Sequence, residues 1–263
     1  MRNMMRGMLE SRYVGYRLFL RDVHSSYAKS MAGWFWDFMD PLMYAVIFFL
    51  LDRFGIFNRG AIGMPYPVFI IYGILMYQTF VESVTWPMDV VRRSRNMLTH
   101  LKLPPEALII ATFYRILLAA SFRIAIMLGF SLAMGAFSPL GFLAFVALFP
   151  VLILAGMSIG LALAPFNTVY NDVGRVARLL LLPLRFATPV MYELSDRLAG
   201  AGLGWLEYLN PLTSILTTLR ALATGIEAPY PAAFAVWVGC YGVLFMAGWF
   251  LFHVSIPILA ERA

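Results

Sequence analysis

Residues 16–52 read YRLFLRDVHSSYAKSMAGWFWDFMDPLMYAVIFFLLD, a stretch that changes character halfway along. Its first part sets Tyr16, Phe19, Leu20, Val23, Tyr27 and Met31 at helical spacing, with Arg17, Arg21, His24, Ser25 and Lys29 on the opposite face. One apolar and one polar, largely basic face describe a helix lying on a membrane surface. From Gly33 to Leu51 the apolar residues become nearly continuous, and Trp34 and Trp36 open the run where an aromatic anchor meets lipid headgroups. That part is expected to cross the bilayer. A surface helix followed by a buried core helix would show the same two patterns, but the apolar runs that follow favour the membrane.

Composition points the same way. With 61% hydrophobic, 16% aromatic and 13% charged residues in 263, the chain carries more apolar surface than a soluble domain can hide. The net charge of +6 is explained by basic residues gathered on one side of a membrane, so nucleic acid is not needed as a partner. The single cysteine, Cys240, lies in an apolar run, which rules out an intramolecular disulfide and argues against a cysteine-ligated metal. Residues 1–15 alternate Arg with Met and Tyr and hold no apolar signal core, so the amino terminus is expected to be retained.

A helix needs roughly 20 apolar residues to cross the hydrocarbon core. Six stretches meet that length, at about 33–52, 67–90, 107–134, 142–165, 176–194 and 232–256. The fifth is interrupted by Pro183 and Arg185. The expected fold is therefore an all-α polytopic membrane protein, a single domain over 1–263 whose first 32 residues form a cytoplasmic interfacial segment. Arg2, Arg6, Arg12, Arg17, Arg21 and Lys29 precede the first span, Arg92, Arg93, Arg95 and Lys102 separate the second and third, and Arg175 and Arg178 lie at the turn from the fourth to the fifth. The opposite loops hold only Arg53, Arg59, Arg197 and Arg220, so both termini are expected in the cytoplasm.

Two connecting segments stand out. Val91 to Glu106 contains three arginines, then Asn96 to Lys102, then Pro104 and Pro105, a short basic helical segment stopped by prolines. It reads equally as a docking element and as a solvated loop. Asn210 to Gly225 reads as a capped helix: Asn210 at the cap, Pro211 as first residue, apolar Leu212, Ile215, Leu216, Leu219 and Leu222, and Gly225 at the end. It fits a helix dipping into the outer interface as well as a plain loop helix.

Charge inside the spans is costly unless it faces protein, water or a partner, which singles out Glu82, Asp89, Arg115, Arg123 and Arg185. Gln78, Glu82, Thr85 and Asp89 share one face of the second span, a polar seam turned from lipid. Glu82 and Arg115 lie at similar depth and are expected to pair, either structurally or around a substrate. Asp37, Asp40, Tyr44 and Phe48 share a face of the first span. Gly156, Gly160 and Ala164 form a small-residue ridge suited to close helix packing.

The chain lacks the pattern of a nucleotide site. Its two lysines, Lys29 and Lys102, follow Ala28 and Leu101, whereas a P-loop needs Gly before Lys. His24, His100 and His253 are far apart, and neither HExxH nor GxSxG occurs, so no catalytic, metal or cofactor site is expected in this chain.

LFLRDVHSSY at Leu18 to Tyr27, then GWFWDFMDPLMYAVIF, PVFIIYGIL, NTVYNDVGRVARLLLLPLRFATPVMY and LNPLT at Leu209 to Thr213, in that order, resemble the membrane subunits of ABC-2 type polysaccharide exporters. These include the capsule, O-antigen and teichoic-acid permeases, and the PVF opening and short carboxyl tail look most like the capsular ones. The resemblance covers nearly the whole chain. It implies an inner-membrane homodimer with two separate ATPase subunits that hold ATP and Mg, an interfacial first helix, six spans and re-entrant helices between the last two. It further implies a lipid-linked cell-surface polysaccharide as cargo and partnership with periplasmic export proteins. Carried onto this sequence, the coupling role falls on Arg92, Arg93, Arg95, Asn96, Leu98, His100, Lys102 and Pro104, and the external gate on Asn210 and Pro211. The substrate path is expected along Asp37, Asp40, Tyr44, Phe48, Phe186 and Tyr192, aromatic faces being suited to sugar rings. An exporter of drugs or small lipids shares this architecture, and a membrane glycan-modifying enzyme is a more distant alternative.

Overall fold

The computed structural model describes residues 11–28, 33–55, 63–94, 104–191 and 209–261, and these are entirely helical apart from short turns and connections. Among the described residues eight helices follow one another: α1 (Arg12–Ala28), α2 (Gly33–Arg53), α3 (Tyr66–Arg93), α4 (Pro105–Ala133), α5 (Pro139–Val169), α6 (Asn171–Ala187), α7 (Pro211–Thr224) and α8 (Pro231–Glu261). Among the described residues, α3, α4, α5 and the Pro231–Ile256 part of α8 are long and apolar enough to cross a membrane. Prolines open α3, α4, α5, α7 and α8, where the fixed φ suits a first turn and the missing N–H costs nothing.

The interior is built around α3 and α5. Val68, Ile70, Tyr72, Met76 and Phe80 of α3 are buried, as are Phe145, Phe149, Leu152, Ile153 and Leu161 of α5. The small-residue ridge explains the close approach of these two helices. A Cβ on Gly156 would lie 2.4 Å from Ser83 Cβ, and one on Gly160 would lie 2.3 Å from the Val84 carbonyl oxygen. In lipid, where apolar surface gains little by leaving the solvent, such contact supplies much of the helix–helix attraction. Gly160→Ala is therefore expected to push α3 and α5 apart and cost about 1–3 kcal/mol. Thermal unfolding of the purified chain in detergent checks this, and an unchanged midpoint would show that the ridge does not set the spacing.

The first helix is partly covered by protein. A Cβ on Gly15 would meet Ile110 Cβ of α4 at 2.7 Å, Leu18 is buried, and the rings of Tyr16 and Phe19 lie 6.0 and 5.8 Å from that of Tyr114. Part of the apolar face read as lipid-facing thus seats on α4.

The sixth helix departs from the expected fifth span. It begins at Asn171 and ends at Ala187, 17 residues, rather than continuing to 194. Thr188 is extended at φ −113° and ψ 143°, because the residue before Pro189 is forced out of the helical region. The chain then turns inward and buries Val190.

The seventh helix is capped as its sequence reads. Asn210 Oδ1 accepts from the Leu212 amide at 3.1 Å, and Gly225 closes the helix at φ 76°. Asn210 Nδ2 also donates to the Ala187 carbonyl at 2.9 Å, which ties the start of α7 to the end of α6. Leu212, Ile215, Leu216 and Leu219 are fully enclosed against the rest of the bundle.

A charged cavity within the helices as candidate functional site

The polar seam of α3 opens into a cavity of about 700 Å³ bounded by α2, α3, α4 and α6. Gln78, Glu82, Thr85 and Asp89 all line it, as one face of a helix must when residues recur at three and four positions. Arg115 and Arg123 of α4 and Arg178 and Arg185 of α6 line it too, with Arg93 at the α3 end. All five ionisable residues singled out within the spans therefore meet around one space.

Their pairing differs from expectation in one respect. The carboxylate of Glu82 receives the guanidinium of Arg123, where depth along the helices had pointed to Arg115. Arg123 is only 6% exposed and also donates to Thr79 Oγ1 at 3.2 Å, so its charge is held within protein. Its long side chain lets it reach a partner that a count of backbone rise places at another level. The Arg115 guanidinium stands 5.2 Å from the Trp86 ring, and Arg93 stands 4.1 Å from the same ring. Towards the α3 terminus Asp89 accepts from Arg178 at 2.9 Å and from Asn167 Nδ2 at 3.0 Å, and Arg93 lies 3.7 Å away. Asn167 also donates to the Met88 carbonyl at 3.0 Å, which fixes the carboxylate against α5. Tyr77 donates to the Leu181 carbonyl and so joins α3 to α6 across the opposite side.

The expected path residues are divided. Tyr44 lines the cavity and is 40% exposed, while Phe186 is 65% exposed at the end of α6 and outside the cavity lining. The side chains of Asp37, Asp40 and Phe48 lie outside the described residues, as does Tyr192. Of the expected coupling residues, Arg92 and Arg93 form the last turn of α3 and Pro104 precedes α4. Arg95, Asn96, Leu98, His100 and Lys102 lie outside the described residues.

One important residue escaped the sequence reading. Arg220, counted there as an outer-loop charge, is 2% exposed in α7. It donates to the Pro189 carbonyl at 3.1 Å and lies 3.8 Å from the Phe69 ring centre. Its position in LTTLRALAT, flanked by the apolar positions of an amphipathic helix, was the available signal. Buried Glu106, in the first turn of α4, similarly contacts His253 of α8.

Helices long and apolar enough to cross a membrane, two of them bordering a charged cavity, fit a membrane transport subunit, and comparison gives the class a family. Residues 15–223 match the family described as ABC-2 type transporter, and the chain belongs to that family. It is 28% identical over 206 residues to the O-antigen export system permease protein RfbA of Myxococcus xanthus, covering 77% of this chain and 76% of that one. It is 24% identical over 229 residues to the polysialic acid transport protein KpsM of Escherichia coli, covering 83% and 86%. An O-antigen export system permease protein of Klebsiella pneumoniae is 24% identical over 205 residues, covering 77% and 76%.

Proposed function

We propose that this chain is the membrane permease of an ABC exporter that carries a cell-surface polysaccharide across the bacterial inner membrane. The observation that carries the reading is the charged, aromatic-edged cavity between membrane helices in a chain similar to O-antigen and polysialic acid permeases. A hydroxylated polymer cannot cross lipid unassisted, and a route lined by polar groups and flat rings lowers that barrier. Among the cargoes, capsular polysaccharide is the favoured one, with O-antigen or teichoic acid next.

The chain works as one domain of six spans, with α2 and α6 added to the four long helices and both termini in the cytoplasm. Two copies assemble with two ATPase subunits, which hold ATP and Mg and hydrolyse the nucleotide. They dock at Arg92 to Pro105 and at α1, and periplasmic export proteins receive the polymer. The polymer passes between the two permease copies along the face of α2 that carries Tyr44 and along the end of α6. The helix behind Asn210 and Pro211 forms the outer gate.

Reconstitution tests this. The chain, co-expressed with its ATPase and placed in liposomes, is expected to move the polysaccharide only with ATP. Tyr44→Ala should reduce export severalfold while dimer formation and basal ATP hydrolysis stay near normal. Export by the permease without an ATPase would sink the reading, as would ATP-driven movement of small lipids with no movement of glycan.

A further inference from the structure

Asp89, near the end of α3, has its two carboxylate oxygens taken by different helices. Oδ1 accepts from Asn167 Nδ2 of α5 at 3.0 Å, and Oδ2 accepts from Arg178 Nη1 of α6 at 2.9 Å. Between those two donors the helix breaks for one residue: α5 ends at Val169, Tyr170 is extended at φ −119° and ψ 116°, and α6 begins at Asn171. The backbone on either side is held in helical hydrogen bonds, so the dihedrals of this one residue set the angle between α5 and α6. One acid of α3 thus bridges the joint.

The joint is also packed from within. Asn167 is fully enclosed, and its Nδ2 donates to the Met88 carbonyl at 3.0 Å as well as to Asp89. Both of those partners accept, so the amide nitrogen belongs there and Oδ1 is turned toward α6. There it meets Gly174, on which a Cβ would lie 2.5 Å from Asn167 Oδ1 and 3.1 Å from Arg178 Nη2. Only hydrogen on the Cα lets α6 seat this closely on the oxygen, which is buried without a hydrogen-bond partner among the described residues. The direction of α6 is therefore set against Asn167, and Asn167 is held by the end of α3. Arg92 and Arg93 form the last turn of that helix, one turn beyond Asp89, while Leu181, Leu182 and Arg185 carry α6 into the cavity wall.

We propose that Asp89 is the node through which the end of α3 aims α6, with Asn167 and Gly174 as positioning residues that fix the Tyr170 joint, so that a displacement of the last turn of α3 re-aims the α6 wall of the cavity. The proposal rests on the reading that an ATPase docks at Arg92 to Pro105 and deepens it, because it names the path by which docking reaches the cavity. The pair that closes the node suits a moving part. Arg178 is half exposed, so its bond to Asp89 adds little to stability and can be broken without unfolding the helix. Arg93, 3.7 Å from the same carboxylate, keeps a cation beside Asp89 when Arg178 shifts.

Amide hydrogen exchange of the purified permease–ATPase complex in nanodiscs, with and without a non-hydrolysable ATP analogue, tests the node. In the wild type the analogue is expected to change exchange both in the last turn of α3 and across α6. Arg178→Gln should keep the α3 change and lose most of the α6 change, and Arg178→Lys should retain more of it. Arg175→Gln, at an exposed residue paired with Asp172 of its own helix, should leave both intact. Gly174→Ala removes no charge, yet it is expected to alter α6 exchange before nucleotide is added, and Asn167→Ser in the same chain should reverse part of that. In liposomes Arg178→Gln should lower the glycan exported per ATP hydrolysed by about fivefold or more. Faster α6 exchange in Arg178→Gln with the nucleotide response preserved would overturn the node, as would a wild type whose α6 ignores the analogue. A wild type that exports no glycan while α6 still answers nucleotide through Arg178 would defeat the export reading and leave the node standing. Full glycan export by a complex whose α6 stays silent would do the reverse.

Discussion

Arg123→Ala is expected to destabilise the permease by about 2–4 kcal/mol, because it strips Glu82 of its cation in a region where water screens poorly. The figure sits somewhat below that of a fully enclosed pair because the Glu82 side chain keeps 31% of its surface open to the cavity. Arg123→Ala also removes the donor to Thr79 Oγ1, although that hydroxyl still bonds the Leu75 carbonyl. Glu82→Gln should cost less, since the amide keeps an acceptor for the guanidinium. The exchanged double variant, Glu82→Arg with Arg123→Glu, should recover part of the loss suffered by Arg123→Ala. Denaturation in detergent measures all three. A double variant no more stable than the worse single variant would mean that the two charges do not act as a pair.

The second large effect is expected at Arg220. This side chain crosses from α7 to the turn that follows α6, bonds the Pro189 carbonyl, and passes so close to α3 that a Cβ on Gly73 would meet Arg220 Nη2 at 2.7 Å. Arg220→Ala removes the bond, the contact with Phe69 and the filling of that space together. A loss of about 3–5 kcal/mol follows from the uncovered carbonyl and the cavity combined. Arg220→Lys retains the charge but lacks the planar fork over the ring, and an intermediate loss is expected. Cysteine cross-linking between the Pro189 turn and α7 adds a reading independent of stability. Undiminished cross-linking in Arg220→Ala would show that α7 is held in place without this residue.

The fold was legible where hydropathy or local chemistry decides it. Long apolar runs foretold α3, α4, α5 and α8, and the cap chemistry of Asn210, Pro211 and Gly225 foretold both ends of α7. The end of α6 was misjudged because apolarity continues past Ala187 while the backbone is turned by Pro189, a local steric effect that hydropathy does not register. For the site, helical periodicity was enough to align Gln78, Glu82, Thr85 and Asp89 on one face. It could not name their partners on α4 and α6, since side-chain reach and helix tilt decide whether Arg115 or Arg123 meets Glu82. Arg220 was overlooked for a related reason: loop charges are counted by position in the chain, and only tertiary packing encloses this one.

The walls around the cavity differ in what stands behind them. On one side α3 is wedged against α5 through glycines and knitted to it through Asn167. On the other, α6 turns Val176, Leu179, Leu180, Leu182 and Phe186 outward, and α2 does the same with Met43, Tyr44, Val46, Ile47 and Leu50. Yet α6 is also tied inward, by Arg178 on Asp89, by the Tyr77 hydroxyl on the Leu181 carbonyl and by Asn210 on the Ala187 carbonyl. The helices that wall the cavity on those sides thus present apolar surface to whatever surrounds the bundle, so one layer of α2 and α6 separates the charged space from the outside.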